Sequence, residues 1–198
     1  TAITPTMARS QAVFQLPVGA TVLYARLYWQ GQRVAGSDQV QFERPNVFSR
    51  TLARDTVRGT QTALNGNGRT MFSSTADVTA LLQQYGPGAY RVGVLQQESI
   101  QDVNEEVTIA NWYVVVFYRL NSLPTKNLTL FDGFDAVSKG NPRSVTLSGF
   151  LVPSAGFNAK LGVVAHEGDN AVSGEQMLFN GIAQFDAPGR FALVVGDA

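Results

Sequence analysis

The chain is built from short runs in which apolar and polar residues alternate, each closed by Gly, Pro, Asn or Asp. The runs are QAVFQL (11–16), ATVLYARLYWQG (20–31), QVQFE (39–43), RTMFSST (69–75), AYRVGVLQ (89–96), NWYVVVFYRL (111–120), NLTLFDGF (127–134), SVTLSGFLV (144–152), AKLGVVAHE (159–167), EQMLFNG (175–181) and RFALVV (190–195). Strand side chains point to opposite faces in turn, so a period of two with regular turn signals specifies strands. Many short strands at even spacing specify a sandwich or barrel. The expected fold is an all-β antiparallel sandwich, jelly-roll-like, formed as a single domain over residues 1–198.

One segment departs from the period of two. In SSTADVTALLQQYGPG, Val78, Leu81 and Leu82 recur at helical spacing. A short helix is expected near residues 75–84, with Ser74 or Thr75 as cap and Asp77 in the first turn. Gly86 and Pro87 end it. So short a helix needs packing to persist, and it is expected to cover an end or open edge of the sandwich.

Two runs are apolar on both faces. In 20–30, Leu23, Ala25, Leu27 and Trp29 share one face and Val22, Tyr24, Arg26 and Tyr28 the other. In 111–119, Trp112, Val114, Val116 and Tyr118 oppose Tyr113, Val115, Phe117 and Arg119. A sandwich strand buries one face in the core. The second face needs a cover, expected from the helix or from the long loops 54–69 and 96–111, with a partner subunit or neighbouring module as the other source. An uncovered cluster of such rings marks an interaction surface.

Composition narrows the function classes. Of 198 residues, 44% are hydrophobic and 15% charged, and the formal net charge is zero. Bulk electrostatics therefore attract neither nucleic acid nor an anionic membrane. The absence of cysteine excludes disulfides, thiolate catalysis and cysteine-ligated zinc. No run is apolar and long enough for a membrane-spanning helix, so no membrane insertion is expected.

ATVLYARLYWQG, ADVTALLQQYGPGAYRVGVLQ and NWYVVVFYRLNSLPTKNLTLFDGF occur in that order, followed by EGDNAVSGEQMLFNG. This succession resembles the β-sandwich module near the amino terminus of large bacterial exported and cell-surface proteins, which often carry arrays of Ig-like repeats. The resemblance covers roughly residues 18–182. It implies a noncatalytic, secreted or cell-surface module acting in adhesion or surface assembly. Its partner would be a glycan or protein on another cell or surface, or neighbouring modules through self-association. No catalytic or ligand residues come with it.

Candidate chemistry is sparse. His166, the single histidine, would have to serve any Ser-His-Asp hydrolase, but the nucleophile elbow G-x-S-x-G is absent. Glu105 and Glu106 are adjacent and point apart on an extended backbone, which does not suit paired-carboxylate glycoside hydrolysis. Calcium is the one candidate cofactor. Glu167, Asp169, Asn170 and Glu175 are hard oxygen donors in one loop, as are Asp132 with Asp135 and Asn65 with Asn67. The same residues also make ordinary turns, which is the plainer reading. Lys126 and Lys160, at strand starts, could form isopeptide links or simply lie along the surface. Tyr24, Tyr28 and Tyr113 could form an aromatic platform for a glycan, or cover the sheet. The expected function is a noncatalytic surface binding module. A structural module of a fibre or surface layer is the alternative, and a carbohydrate-active hydrolase ranks below both.

Overall fold

The computed structural model describes residues 9–32, 39–64, 70–93, 110–138, 140–151, 154–156, 159–166, 176–186 and 196–197. They fall into two compact units, Thr1–Ser148 and Gly149–Ala198.

The first unit is an antiparallel β-sandwich. Its strands are β1 (Arg9–Phe14), β2 (Thr21–Gln32), β3 (Gln39–Arg44), β4 (Phe48–Ala53), β5 (Gln61–Leu64), β6 (Thr70–Asp77), β7 (Gly88–Gly93) and β8 (Ala110–Arg119), with helix α1 (Thr79–Tyr85) before β7. One sheet runs β1-β7-β3-β4 and the other β5-β6-β2-β8. The two four-stranded sheets and the repeated crossings between them are jelly-roll-like, while the β3–β4 and β5–β6 hairpins each stay within one sheet. Leu27, Trp29, Phe72 and Ala76 from one sheet and Val40, Phe42, Phe48, Tyr90 and Val92 from the other form a single buried cluster.

A bulge in β2 changes the expected facing. The β2–β8 register pairs Val22 with Tyr118 and Tyr24 with Phe117, which leaves Leu23 as an extra residue. Val22 turns into the core at 3% exposure and Leu23 turns out at 54%. The alternation expected from Leu23 onward holds for Ala25, Leu27 and Trp29 and fails for this pair, because an inserted residue shifts the phase by one.

Helix α1 starts later than its sequence signals suggest. Ser74, Thr75 and Asp77 belong to β6, where the ladder to β2 claims them. Val78 occupies the N-cap without a side-chain hydrogen bond, and the first turn holds no acid. Asp77 still accepts from the Thr79 N–H at 2.8 Å. Val78 and Leu82 complete the core cluster, and Gln83 donates to the Val22 carbonyl at 2.9 Å. The helix thus packs against the core rather than over the outer sheet face. At its end Arg44 donates to the Tyr85 carbonyl and lies 6.0 Å from the Tyr90 ring centroid. Gly88 has φ +154°, which disfavours residues with a side chain, and a Cβ there would also displace that guanidinium, 2.7 Å away.

Strands β4 and β5 were not among the expected runs. β4 breaks the apolar alternation at Arg50, and β5 is four residues inside a polar stretch. Conversely, 127–134 and the described part of 144–152 carry strand-like patterns but no ladder. A pattern records one apolar face, whereas a strand also needs a neighbour for its backbone groups.

The second unit contains β9 (Lys160–Leu161) paired with β12 (Gly196–Asp197), and a hairpin of β10 (Gln176–Phe179) and β11 (Ile182–Asp186). The hairpin turns through Asn180 and Gly181, both at positive φ, the signature of a type I′ turn.

Candidate functional site

The outer face of the β5-β6-β2-β8 sheet carries polar and aromatic side chains in ordered rows. Register places Gln61, Ser73, Gln30 and Asn111 in one row across the four strands. The next row is Thr75, Tyr28 and Tyr113, and the one after it Asp77, Arg26 and Val115. Tyr24 then pairs with Phe117 beyond the bulge. The three tyrosines named from sequence therefore lie on one face. Tyr28 stacks on Tyr113 with ring centroids 4.7 Å apart, and Tyr24 meets Phe117 at 5.8 Å. Such cross-strand ring pairs contribute about 0.5–1.5 kcal/mol each beyond their buried area.

Two segments of the same chain cover this face. The first is the turn at 55–59. Asp55 Oδ1 accepts from the Val57 and Arg58 N–H groups at 2.9 and 3.1 Å, and the Asp55 N–H donates to the Thr75 carbonyl at 2.7 Å. Asp55 Oδ2 pairs with buried Arg26 at 3.0 Å. Arg26 also donates to the Tyr24 hydroxyl and, at 3.4 Å, to Thr75 Oγ1. The Arg58 N–H, the Arg26 guanidinium and the Val57 N–H together hold the Asp55 carboxyl below its usual range.

The second cover is the segment around Asp132. Its Oδ1 accepts from the Tyr28 hydroxyl and its Oδ2 from the Arg58 guanidinium. The Asp132 side chain is 8% exposed, although it lies in a segment without strand pairing. Tyr28 is consequently 5% exposed. Burial, and then the neighbouring Tyr113, push its phenol up to about 12, and burial alone raises Tyr113 to about 12. A cavity of about 20 Å³, lined by Asp132, Tyr28, Arg58, Gln61, Ser73 and Thr75, has room for one water. Asn111 Oδ1, in the adjacent row, is buried without a hydrogen-bond partner among the described residues.

Internal cover thus comes from residues 55–59 of the 54–69 loop, one of the expected sources, and from 131–133, which has a strand-like pattern. Loop residues 96–109 lie outside the described residues.

The remaining sequence candidates are dispersed. Glu167, Asp169, Asn170 and Glu175 lie outside the described residues, as do Asn65, Asn67, Glu105 and Glu106. Asp135 pairs with Arg143 at 2.9 Å while Asp132 engages Tyr28 and Arg58, so each carboxylate of FDGFD faces its own cation. Among the described residues no group of three or more His, Asp or Glu side chains could hold a metal. Burial holds the His166 imidazole below its ordinary value. Lys126 and Lys160 are exposed. Sequence reasoning missed Arg26, Asp55 and Arg58. Asp55 and Arg58 do carry a local signal, an Asx-type turn at R-D-T-V-R-G, but their partners are set by tertiary pairing.

No protein-family model matches the chain, and no curated protein or solved structure is significantly similar to it. No helix among the described residues is long and apolar enough to cross a membrane.

Proposed function

We propose that this protein is a noncatalytic, bacterial, secreted or cell-surface module that binds a glycan through the outer face of the β5-β6-β2-β8 sheet. The observation that carries this reading is the juxtaposition of two rows on one sheet face, which the turn at 55–59 and the segment around Asp132 cover in this structure. Gln61, Ser73, Gln30 and Asn111 supply amide and hydroxyl groups, and the Tyr28–Tyr113 stack lies beside them. Sugar rings present apolar faces edged by hydroxyls, which aromatic rings and amides match. A sheet holds such groups more rigidly than loops do. The order of sequence motifs supports the extracellular setting.

The test is binding of the purified chain to a broad glycan array, with Asn111→Ala and Tyr113→Ala as variants. Binding to a defined glycan class that both variants weaken is the expected result. A blank array would move the assignment to a protein ligand.

A structural role in a fibre or surface layer is the second reading, favoured by β8. This strand ladders only with β2 among the described strands, and residues 111–118 contain neither charge nor proline. Unguarded edges of this kind pair with other chains. Sedimentation that shows reversible self-association, abolished by Val115→Lys, would favour it.

A further inference from the structure

We propose that the segment 120–138, pinned by Asp132, is a built-in competitor for a carboxylated sugar, and that its release uncovers the binding face. This rests on the glycan-binding reading above and names the class of glycan.

The Asp132 carboxylate touches the ring row where a ligand would. One oxygen takes the Tyr28 hydroxyl and the other takes Arg58. An arginine beside a hydroxyl donor is a carboxylate-recognising pair, because charge-assisted hydrogen bonds select an anionic, two-oxygen acceptor. When Asp132 withdraws, Arg58 and the Tyr28 hydroxyl remain without that acceptor. Arg26 does not compete for an incoming anion, since Asp55 neutralises it at 3.0 Å. The vacated position would therefore carry one net positive charge, at Arg58, beside a stacked ring pair and an amide row. A uronate or sialate unit supplies the matching groups: a carboxylate, an apolar ring face and flanking hydroxyls.

Three features of the cover suit a displaceable segment. It has no ladder to the sheet between 120 and 137, so its withdrawal breaks no strand pairing. A small cavity lined by Asp132, Gly133 and Tyr28 lies where the segment meets the face. Asn111 Oδ1 has no hydrogen-bond partner among the described residues, whereas a sugar hydroxyl could donate to it. A cover closed nine-tenths of the time lowers apparent affinity about ten-fold, without any change in the site beneath.

The experiment compares the parent chain with Asp132→Asn and Asp132→Ala. The probes are sialyllactose and a galacturonate oligomer, with lactose and cellohexaose as neutral counterparts. Acetylation of Tyr28 by N-acetylimidazole, located by peptide mass spectrometry, reports the cover independently of binding. Both variants are expected to expose Tyr28 and to bind an acidic probe about ten-fold tighter than the parent. The gain is expected to disappear in Arg58→Gln combined with either variant. Should the variants fail to fold, saturating acidic probe added to the parent is expected to speed tryptic cleavage after exposed Lys126 in the released segment, and an unchanged cleavage rate overturns the proposal. Equal acidic binding by parent and variants overturns the competitor while leaving the glycan-binding face intact. Tighter binding of neutral probes alone overturns the carboxylate assignment. Exposed Tyr28 with no binding of any probe overturns both the competitor and the function on which it rests.

Discussion

Tyr28 and Tyr113 stack across the β2–β8 ladder with their ring planes within 8° of parallel, and the Tyr28 hydroxyl is held by Asp132. This pair lies on the face opposite the core, yet it is shielded well enough that both phenols ionise near 12. The folded state therefore holds these protons after the unfolded chain, whose tyrosines titrate near the ordinary value of about 10, has released them. The unfolded state then binds fewer protons, so stability falls as pH rises. The contribution is complete below about pH 10 and is lost as pH passes through about 12. Phenolate absorbance during alkaline titration should show late-ionising tyrosines, and Tyr28→Phe and Tyr113→Phe should each remove one.

Asp55 predicts the opposite limb. Its carboxyl is held below the usual range by two backbone N–H groups and Arg26. The folded state therefore binds the proton less readily than the unfolded chain. The stabilisation is present above the ordinary carboxylate pKa and is lost as pH falls through the depressed one. Asp55→Asn should flatten the acid side of the stability–pH curve, measured by urea denaturation at stepped pH. An acid limb as steep as the parent's would contradict the assignment.

The β2 bulge separates neighbours that a simple alternation would exchange. Val22→Ala should cost about 2 kcal/mol, because it hollows a packed core. Leu23→Ala should stay within about 0.5 kcal/mol, because its side chain faces solvent. Chemical denaturation of the two variants gives the answer, and the reverse order would mean that β2 pairs with β8 without the extra residue.

Trp29 is wholly buried, and its indole N–H has no hydrogen-bond partner among the described residues. A buried unpaired donor carries a desolvation penalty of about 1–3 kcal/mol. Trp29→Phe removes that donor while keeping much of the ring, so it should cost no more than about 1 kcal/mol. Trp29→Ala should cost about 3–5 kcal/mol. Thermal unfolding of both variants tests the contrast, and a large loss in Trp29→Phe would reveal a partner for the indole.

The sequence by itself determined the all-β class, the apolar faces of β2, β3, β7 and β8, and the existence of a short helix ended by Gly86, though not where it starts. These follow from local periodicity, which fixes which side chains share a face before any partner is known. It also brought Tyr24, Tyr28 and Tyr113 to notice, because their runs were apolar on both sides. Only the tertiary structure decided what lies over them. Tyr28 meets Asp132 across 104 residues of chain, Arg58 meets Asp132 across 74, and Arg26 meets Asp55 across 29. Pairings of that span leave no periodic trace, since any carboxylate and any arginine look alike until the fold brings two of them together. The same reason explains 127–134, whose alternation resembles a strand. Its backbone found no neighbouring strand, and its one carboxylate at Asp132 holds it across the ring face instead.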